Sequence, residues 1–294
     1  MFHLRGYCVS SMARHKPMQV PVLLAIFASA TVLFGQDDAR DVIRRAVEAD
    51  ERNWQAARHY TFSERVNSRY MDSQGRLKSQ DIKGHDVLLL DGSPYRRLVS
   101  RDDRPLPPTD ERKEQEKLDR SIAARLRETA VQRAQRMTEY IRRPEWEREA
   151  WHELPAAFDF RWCAEEVLDG RRLYVIEASP RQGYRPGSRT GKVLARLKAR
   201  FWIDKQDYHI VKAEAEVMET ISVGLFLVRV AKGSHATLVQ TRVNDDVWMP
   251  HEVQAFGSAR VGLLKVLRIE HEIRYSNSRK FPAASPLASQ VTAK

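Results

Sequence analysis

Between Leu197 and Tyr275 apolar and polar residues alternate in short runs divided by turn-forming residues, and the rest of the chain is arranged around this stretch. In its last run Leu263, Leu267, Ile269, Ile273 and Tyr275 alternate with Arg268, Glu270, Glu272 and Arg274. That period of two is what a strand with one buried face requires. Val247–Phe256 reads as the strand before it, and Gly257 and Gly262 between them suit a bend or bulge. Further back, His235–Val243 stops at Asn244-Asp245-Asp246 and Gly224–Ala231 stops at Lys232-Gly233. Tyr208–Val217 sets Val211, Ala213, Ala215 and Val217 on one side against Lys212, Glu214 and Glu216 on the other, and Lys205-Gln206-Asp207 joins it to Leu197–Asp204. Six strands in about 80 residues leave no room for crossover helices, which predicts an antiparallel meander.

The N-terminal half changes period. From Asp37 to Arg58 the apolar residues Val42, Ile43, Ala46, Val47 and Trp54 recur at helical spacing, with Asp37 or Asp38 available as the cap. Strands follow at Tyr60–Met71, Arg76–Leu90 and Tyr95–Ser100, divided by Asp72-Ser73-Gln74-Gly75 and Asp91-Gly92-Ser93-Pro94. Pro105–Thr109 breaks this meander and opens a charged stretch, Asp110–Arg143, in which Leu118, Ile122, Leu126, Ala130, Ala134, Met137 and Ile141 form a thin helical seam. One long helix with so narrow an apolar stripe is expected to lie on a surface or swing clear of the body. Pro144 ends it, and Trp146, Trp151 and Leu154 fasten its far end. Phe158–Leu168 and Arg171–Ala178 form a hairpin around Asp169-Gly170. The expectation is one mainly β domain of class α+β over residues 36–281, with about eleven strands, an N-terminal helix and the 110–143 helix as an insertion. Residues 282–294, rich in Pro, Ala and Ser, read as a frayed tail.

Charge and cysteine use add a location. The first 35 residues carry Arg5, Arg14 and Lys16, no acid, and then the apolar run Val20–Phe34. This is a secretory n-region and h-region, too short for a comfortable membrane span, and it predicts export to the periplasm with residues 1–35 removed. The 294-residue chain has a formal charge of +11, from 50 basic and 39 acidic residues. With the signal gone Cys163 is the one remaining cysteine, so no internal disulfide is expected.

Candidate chemistry is sparse. Gly187-Ser188-Arg189-Thr190-Gly191-Lys192-Val193 resembles a phosphate-binding loop, but it is one residue short between the glycines and has Val193 where a hydroxyl must reach magnesium. The nine histidines show no metal-binding spacing and there is no cysteine pair, so neither a metal nor a cofactor is expected. His271 falls on the apolar side between Ile269 and Ile273, as a satisfied interior histidine would. No Gly-x-Ser-x-Gly elbow occurs. The reading is therefore non-enzymatic, with an exported hydrolase of dispersed residues, built on His209, His251 or His271 beside a carboxylate, as one alternative. The positive charge is interspersed with acids, which argues against nucleic acid. Arg181, Arg185, Arg189 and Lys192 cluster beside Tyr184 and could meet phosphate headgroups or an acidic partner.

An export signal, a capped helix and a long meander together resemble the outer-membrane lipoprotein carrier superfamily, LolA/LolB-like and including the RseB-type periplasmic sensors. The phrases that carry the likeness are Tyr60-Thr-Phe-Ser-Glu-Arg65, Gly92-Ser-Pro-Tyr-Arg-Arg-Leu98, Phe201-Trp-Ile-Asp204 followed by Tyr208-His-Ile-Val-Lys212, and Val247-Trp-Met-Pro250. The resemblance implies an unclosed β-barrel: a strongly curved antiparallel sheet whose apolar concave face is partly covered by helices and holds a lipid or a lipidated protein. Burying an acyl chain there is favourable by about 0.8 kcal/mol per CH2. The lining it implies is Phe62, Val66, Val211, Ala215, Val217, Leu267, Ile269 and Ile273. A second reading is an envelope interaction or sensor module in which the charged helix and the basic loop bind a protein partner, with peripheral membrane contact. The chain departs from the carriers in its inserted helix and in its basic charge.

Overall fold

The structure is a computed structural model that describes residues 36–142, 145–223, 228–245, 247–261 and 265–281. The expected signal segment, the C-terminal tail and the Gly262 bend lie outside the described residues. In chain order the elements are α1 (Gln36–Ala57), β1 (Tyr60–Met71), β2 (Leu77–Leu90), β3 (Ser93–Arg101), β4 (Arg104–Pro105), α2 (Pro108–Leu126), α3 (Ala130–Ile141) and α4 (Glu145–Ala157), followed by β5 (Phe158–Leu168), β6 (Arg171–Pro180), α5 (Arg189–Leu194), β7 (Leu197–Asp204), β8 (Ile210–Val217), β9 (Ile221–Val223), β10 (Val228–Val230), β11 (His235–Val243), β12 (Val247–Val261) and β13 (Lys265–Lys280).

The strands join in one antiparallel sheet of order β4-β3-β2-β1-β13-β12-β11-β8-β7-β6-β5, with β9 and β10 attached beside the far end of β12. Eleven strands thus make an open path with two edges, the α+β, unclosed sheet the sequence predicts. Within each half neighbours in sequence are neighbours in space. The N-terminal meander joins the other half through β1 on β13, from Tyr60 opposite Lys280 to Met71 opposite Arg268. The β9–β10 hairpin is looped out, so that β8 pairs directly with β11.

Helix α1 lies on one face at the β5–β8 end. Its Ala39, Val42, Ile43 and Ala46 are buried against Phe158, Phe160, Ile176, Ala178, Phe201, Ile203 and Ile210. These strand residues alternate with Leu173, Val175, Trp202 and Val211, which form a second cluster with Trp248. At this end both faces of the sheet are therefore filled.

The 110–143 stretch is not one helix. Thr129 breaks it: its hydroxyl accepts from the backbone N–H of Gln132 at 3.2 Å, while the Gln132 carboxamide accepts from the Thr129 N–H at 2.9 Å. This reciprocal capping box starts α3 afresh. Of the expected seam only Leu118 is fully buried; Leu126 is 68% and Ile141 43% exposed. Arg136 fastens α3 to the β2–β3 turn, bonding Asp91 at 2.8 Å and the Ser93 hydroxyl at 2.7 Å. Arg136 also pairs with Glu128 at 2.7 Å, and the two guanidinium groups of Arg136 and Arg125 hold the Glu128 carboxyl down to about 2. A further helix, α4, holds Trp146 and Trp151; Trp151 and Leu154 pack into the α1 core, whereas Trp146 stays 65% exposed.

The segment between β6 and β7 is anchored to α4. Glu153 of α4 accepts from the Ser188 hydroxyl at 2.5 Å and from Tyr184, and Glu149 accepts from Thr190 at 2.7 Å. Burial and the Glu153 carboxylate push the Tyr184 hydroxyl up to about 12. No helix among the described residues is long and apolar enough to cross a membrane.

Candidate functional site

Strand register builds the site. On the face that α1 covers further along, Ala199 pairs with Ala215, Ala215 with Ala236, Ala236 with Ala255, and Ala255 with His271. Four cross-strand neighbours in a row thus carry a single methyl each. Directly opposed residues on one face have Cβ atoms only about 4.5–5.5 Å apart, so the row is a continuous trough. One flank is Leu197 opposite Val217 and Gly257 opposite Ile269. The other is Phe201, Ala213, Leu238, Val253, Ile273 and Val66, each paired with the next. Helix α1 fills the trough at its β7 end, where Ala199 is buried; Ala236 in the middle is exposed. The result is a mainly apolar hollow of about 350 Å3 lined by Leu197, Ala215, Val217, Val230, Ala236, Ala255 and Ile269, together with the polar Ser234, Ser258 and His271. Its volume falls in the range of small-molecule sites, about 300–1,000 Å3.

Three of the eight expected lining residues, Ala215, Val217 and Ile269, meet in this hollow. Val66 and Ile273 are a direct cross-strand pair on its flank. Leu267 extends the same face beyond Ile269. Phe62 lies under the end of α1 with Tyr60, Val247 and Met249, its ring 5.6 Å from that of Tyr275. Val211 departs from the expectation: β7 and β8 slip in register between Trp202–Lys212 and Ile203–Ile210, and the extra residue turns Val211 to the opposite face beside Trp202 and Trp248.

His271, expected as an interior histidine, is only half-buried at the edge of the trough, with Nδ1 2.9 Å from the Ser68 hydroxyl. Residues the alternation alone did not mark are Ala236, Ala255 and Ser234. Ser234 is 7% exposed, and its hydroxyl has no hydrogen-bond partner among the described residues. Gly257 makes room for it: a Cβ there would stand 2.7 Å from the Ser234 Oγ.

In the basic quartet, Arg181 is committed to the fold. It bonds Asp159 at 3.1 Å and the carbonyls of Phe158 and Pro155 at 3.1 and 3.4 Å, closing the end of α4. Arg185, Arg189 and Lys192 are exposed around α5.

A second, polar cavity of about 230 Å3 lies between α1 and the β7–β8 and β11–β12 turns, lined by Arg52, Asn53, Asp207, His209, Arg242 and Trp248. The His209 ring stacks on Trp248 at 5.0 Å, and burial pushes its imidazole down to about 4, so it is neutral at physiological pH. Asp207 does not serve it as a catalytic carboxylate: one oxygen accepts from Trp248 Nε1 at 2.9 Å and the other from the His209 backbone N–H at 3.0 Å. No group of three or more His, Cys, Asp or Glu side chains suited to a metal ion occurs among the described residues.

No family model matches the chain, and no curated protein matches it. Among solved structures it is similar to a domain named for outer membrane lipoprotein sorting from Vibrio parahaemolyticus, at 12% identity and a TM-score of 0.34, covering 85% of this chain and 98% of that one. The LolA superfamily protein NE2245 from Nitrosomonas europaea gives 11% identity and a TM-score of 0.31, covering 86% and 96%. The MucA/MucB complex structure from Pseudomonas aeruginosa gives 11% identity and a TM-score of 0.24, covering 83% and 99%. The likeness is a distant one. At these values nothing about ligand or partner passes from those proteins to this chain.

Proposed function

We infer that the chain is a non-enzymatic envelope protein that holds a lipid, or the acyl chain of a lipidated protein, in the hollow over Ala215, Ala236 and Ala255. The observation that carries this reading is the alanine trough between larger apolar flanks, left open at Ala236. A chain laid in it covers apolar surface at a gain of about 0.8 kcal/mol per CH2, and nothing in the reading requires a bond to be made or broken. The n-region and h-region of residues 1–35 support a periplasmic location. Native mass spectrometry of protein purified from its own periplasm tests this. A co-purifying mass in the lipid range, released by organic solvent, is expected; a protein that emerges without lipid and takes up none from added lipid contradicts it.

A second reading rests on a different surface. Leu126 at the end of α2, Val131 in α3 and Trp146 in α4 are 68%, 67% and 65% exposed. Exposed apolar side chains on charged helices suit a protein partner in the envelope. If a partner is captured by the intact protein and lost on replacing Leu126 and Val131 by Ser, with lipid uptake unchanged, these helices rather than the hollow carry recognition.

A further inference from the structure

The residues that alternate with the alanine row point to the other face of the sheet, and there they surround a second cavity. One row runs Arg69, Glu270, Phe256 and His235, each directly opposite the next on adjacent strands. Beside it Asn67 faces Glu272, and Glu272 faces Gln254. Together the rows line a cavity of about 490 Å3. Its charges are already matched within the protein, for Arg69 pairs with Glu270 at 2.7 Å and Glu272 with Arg274 at 2.6 Å. A charged ligand is therefore not called for. Asn67 accepts from the Gln80 carboxamide at 2.9 Å through its oxygen, which leaves its NH2 group as a donor beside the Glu272 carboxylate. Among these polar groups Phe256 is 40% exposed, its ring 5.3 Å from that of His235 and tilted to it by 32°. An uncharged ligand that fits has one apolar face and an edge that both donates and accepts hydrogen bonds.

We propose that this cavity binds a neutral saccharide, with the Phe256 ring against the C–H face of a pyranose and with Arg69, Gln254 and Glu272 serving its hydroxyls. The C–H bonds on one side of a pyranose carry slight positive charge and meet the negative face of an aromatic ring. Each sugar hydroxyl both donates and accepts, so it needs the mixture of guanidinium, carboxamide and carboxylate found here. A peptide is the poorer fit, because peptides add to open strand edges or fill side-chain pockets, whereas β1, β13, β12 and β11 are inner strands paired on both sides. The site stands apart from the acyl-chain reading, since its side chains point away from the trough.

The test is saturation-transfer NMR on the full mature protein with chitotriose, cellotriose and maltotriose, and with trialanine amide as the peptide probe. Wild type, Phe256→Ala and Gln254→Ala are compared, with thermal unfolding and displacement of a fluorescent apolar dye by dodecanoate as controls. At least one saccharide is expected to receive saturation from wild type, most strongly at the C–H protons of one ring face. Its binding should fall by about five- to tenfold in Phe256→Ala, the worth of one aromatic contact, and measurably in Gln254→Ala, with dodecanoate uptake unchanged in both. No transfer to any of the three saccharides overturns the inference, as does binding that both variants retain in full. Transfer to trialanine amide that depends on Phe256, without transfer to the saccharides, makes this a peptide site and overturns it as well. Failure of wild type to take up dodecanoate while a saccharide still binds through Phe256 contradicts the acyl-chain reading alone.

Discussion

The two ends of the sheet are built from the same alternation and reach opposite outcomes. At the β5–β8 end both faces are filled, by α1 with Phe158, Ile176 and Ile203 on one side and by Trp202, Trp248 and Val211 on the other. Across β11 and β12 the same face is apolar, yet its central row is Ala236 and Ala255, continued by His271 in β13, and Ala236 is exposed. Period-2 patterning therefore fixes which face is apolar, and side-chain size together with helix placement decides whether that face becomes core or cavity.

That contrast is broken most sharply by the same substitution at each end. Ile203→Ala removes a side chain that is 0% exposed and leaves a closed void, with an expected loss of about 2–5 kcal/mol in denaturant unfolding. Ile269→Ala only widens a hollow already open to solvent, and should cost about 1 kcal/mol. Equal costs would mean that the hollow is ordinary core.

Acid sharpens the comparison next, because two of the strongly shifted groups, His209 and Glu177, belong to the filled end. His209 is held near 4 when folded and near 6.5 when unfolded, so the stability it confers is complete above pH 6.5 and is lost as pH falls through about 4. Glu177 is bonded to Lys198 at 2.6 Å and to Arg161, with Arg200 at 3.6 Å, and these cations hold its carboxyl down to about 2 from 4.5. Its contribution is present above pH 4.5 and is lost as pH falls through about 2. Unfolding free energy should drop in these two windows, by on the order of 1 kcal/mol in each. His209→Gln should abolish the upper step, and Glu177→Gln should shrink the lower one, which Glu128 shares.

The smallest effect is expected at the capping box. Thr129→Ala should cost about 1 kcal/mol, seen as faster amide exchange in the first turn of α3, and leave acyl-chain uptake unchanged.

Much of this was legible in the chain. Tyr60–Met71, Phe158–Leu168, Leu197–Asp204 and His235–Val243 fall at the boundaries their alternation and turn residues mark. The break in the charged stretch was also written there, as Thr129 followed three residues later by Gln132, but a continuous apolar spacing from Leu118 to Ile141 masks it. The alanine row could not be seen. Its members are 16 to 21 residues apart in sequence and become neighbours only through register, which in β8 depends on a bulge that alternation does not reveal. The same bulge turned Val211 away. Ser234 carried no signal of its own, since its closeness to Gly257 of β12 arises only across the sheet.

The most direct trial of the account is to fill the trough. Acyl-chain affinity is measured by dye displacement in wild type and in Ala236→Phe, whose ring would occupy the space between Ala215 and Ala255. The account predicts at least a tenfold loss of affinity with unfolding free energy within about 1 kcal/mol of wild type. Undiminished uptake by the filled protein would place the ligand elsewhere and contradict it.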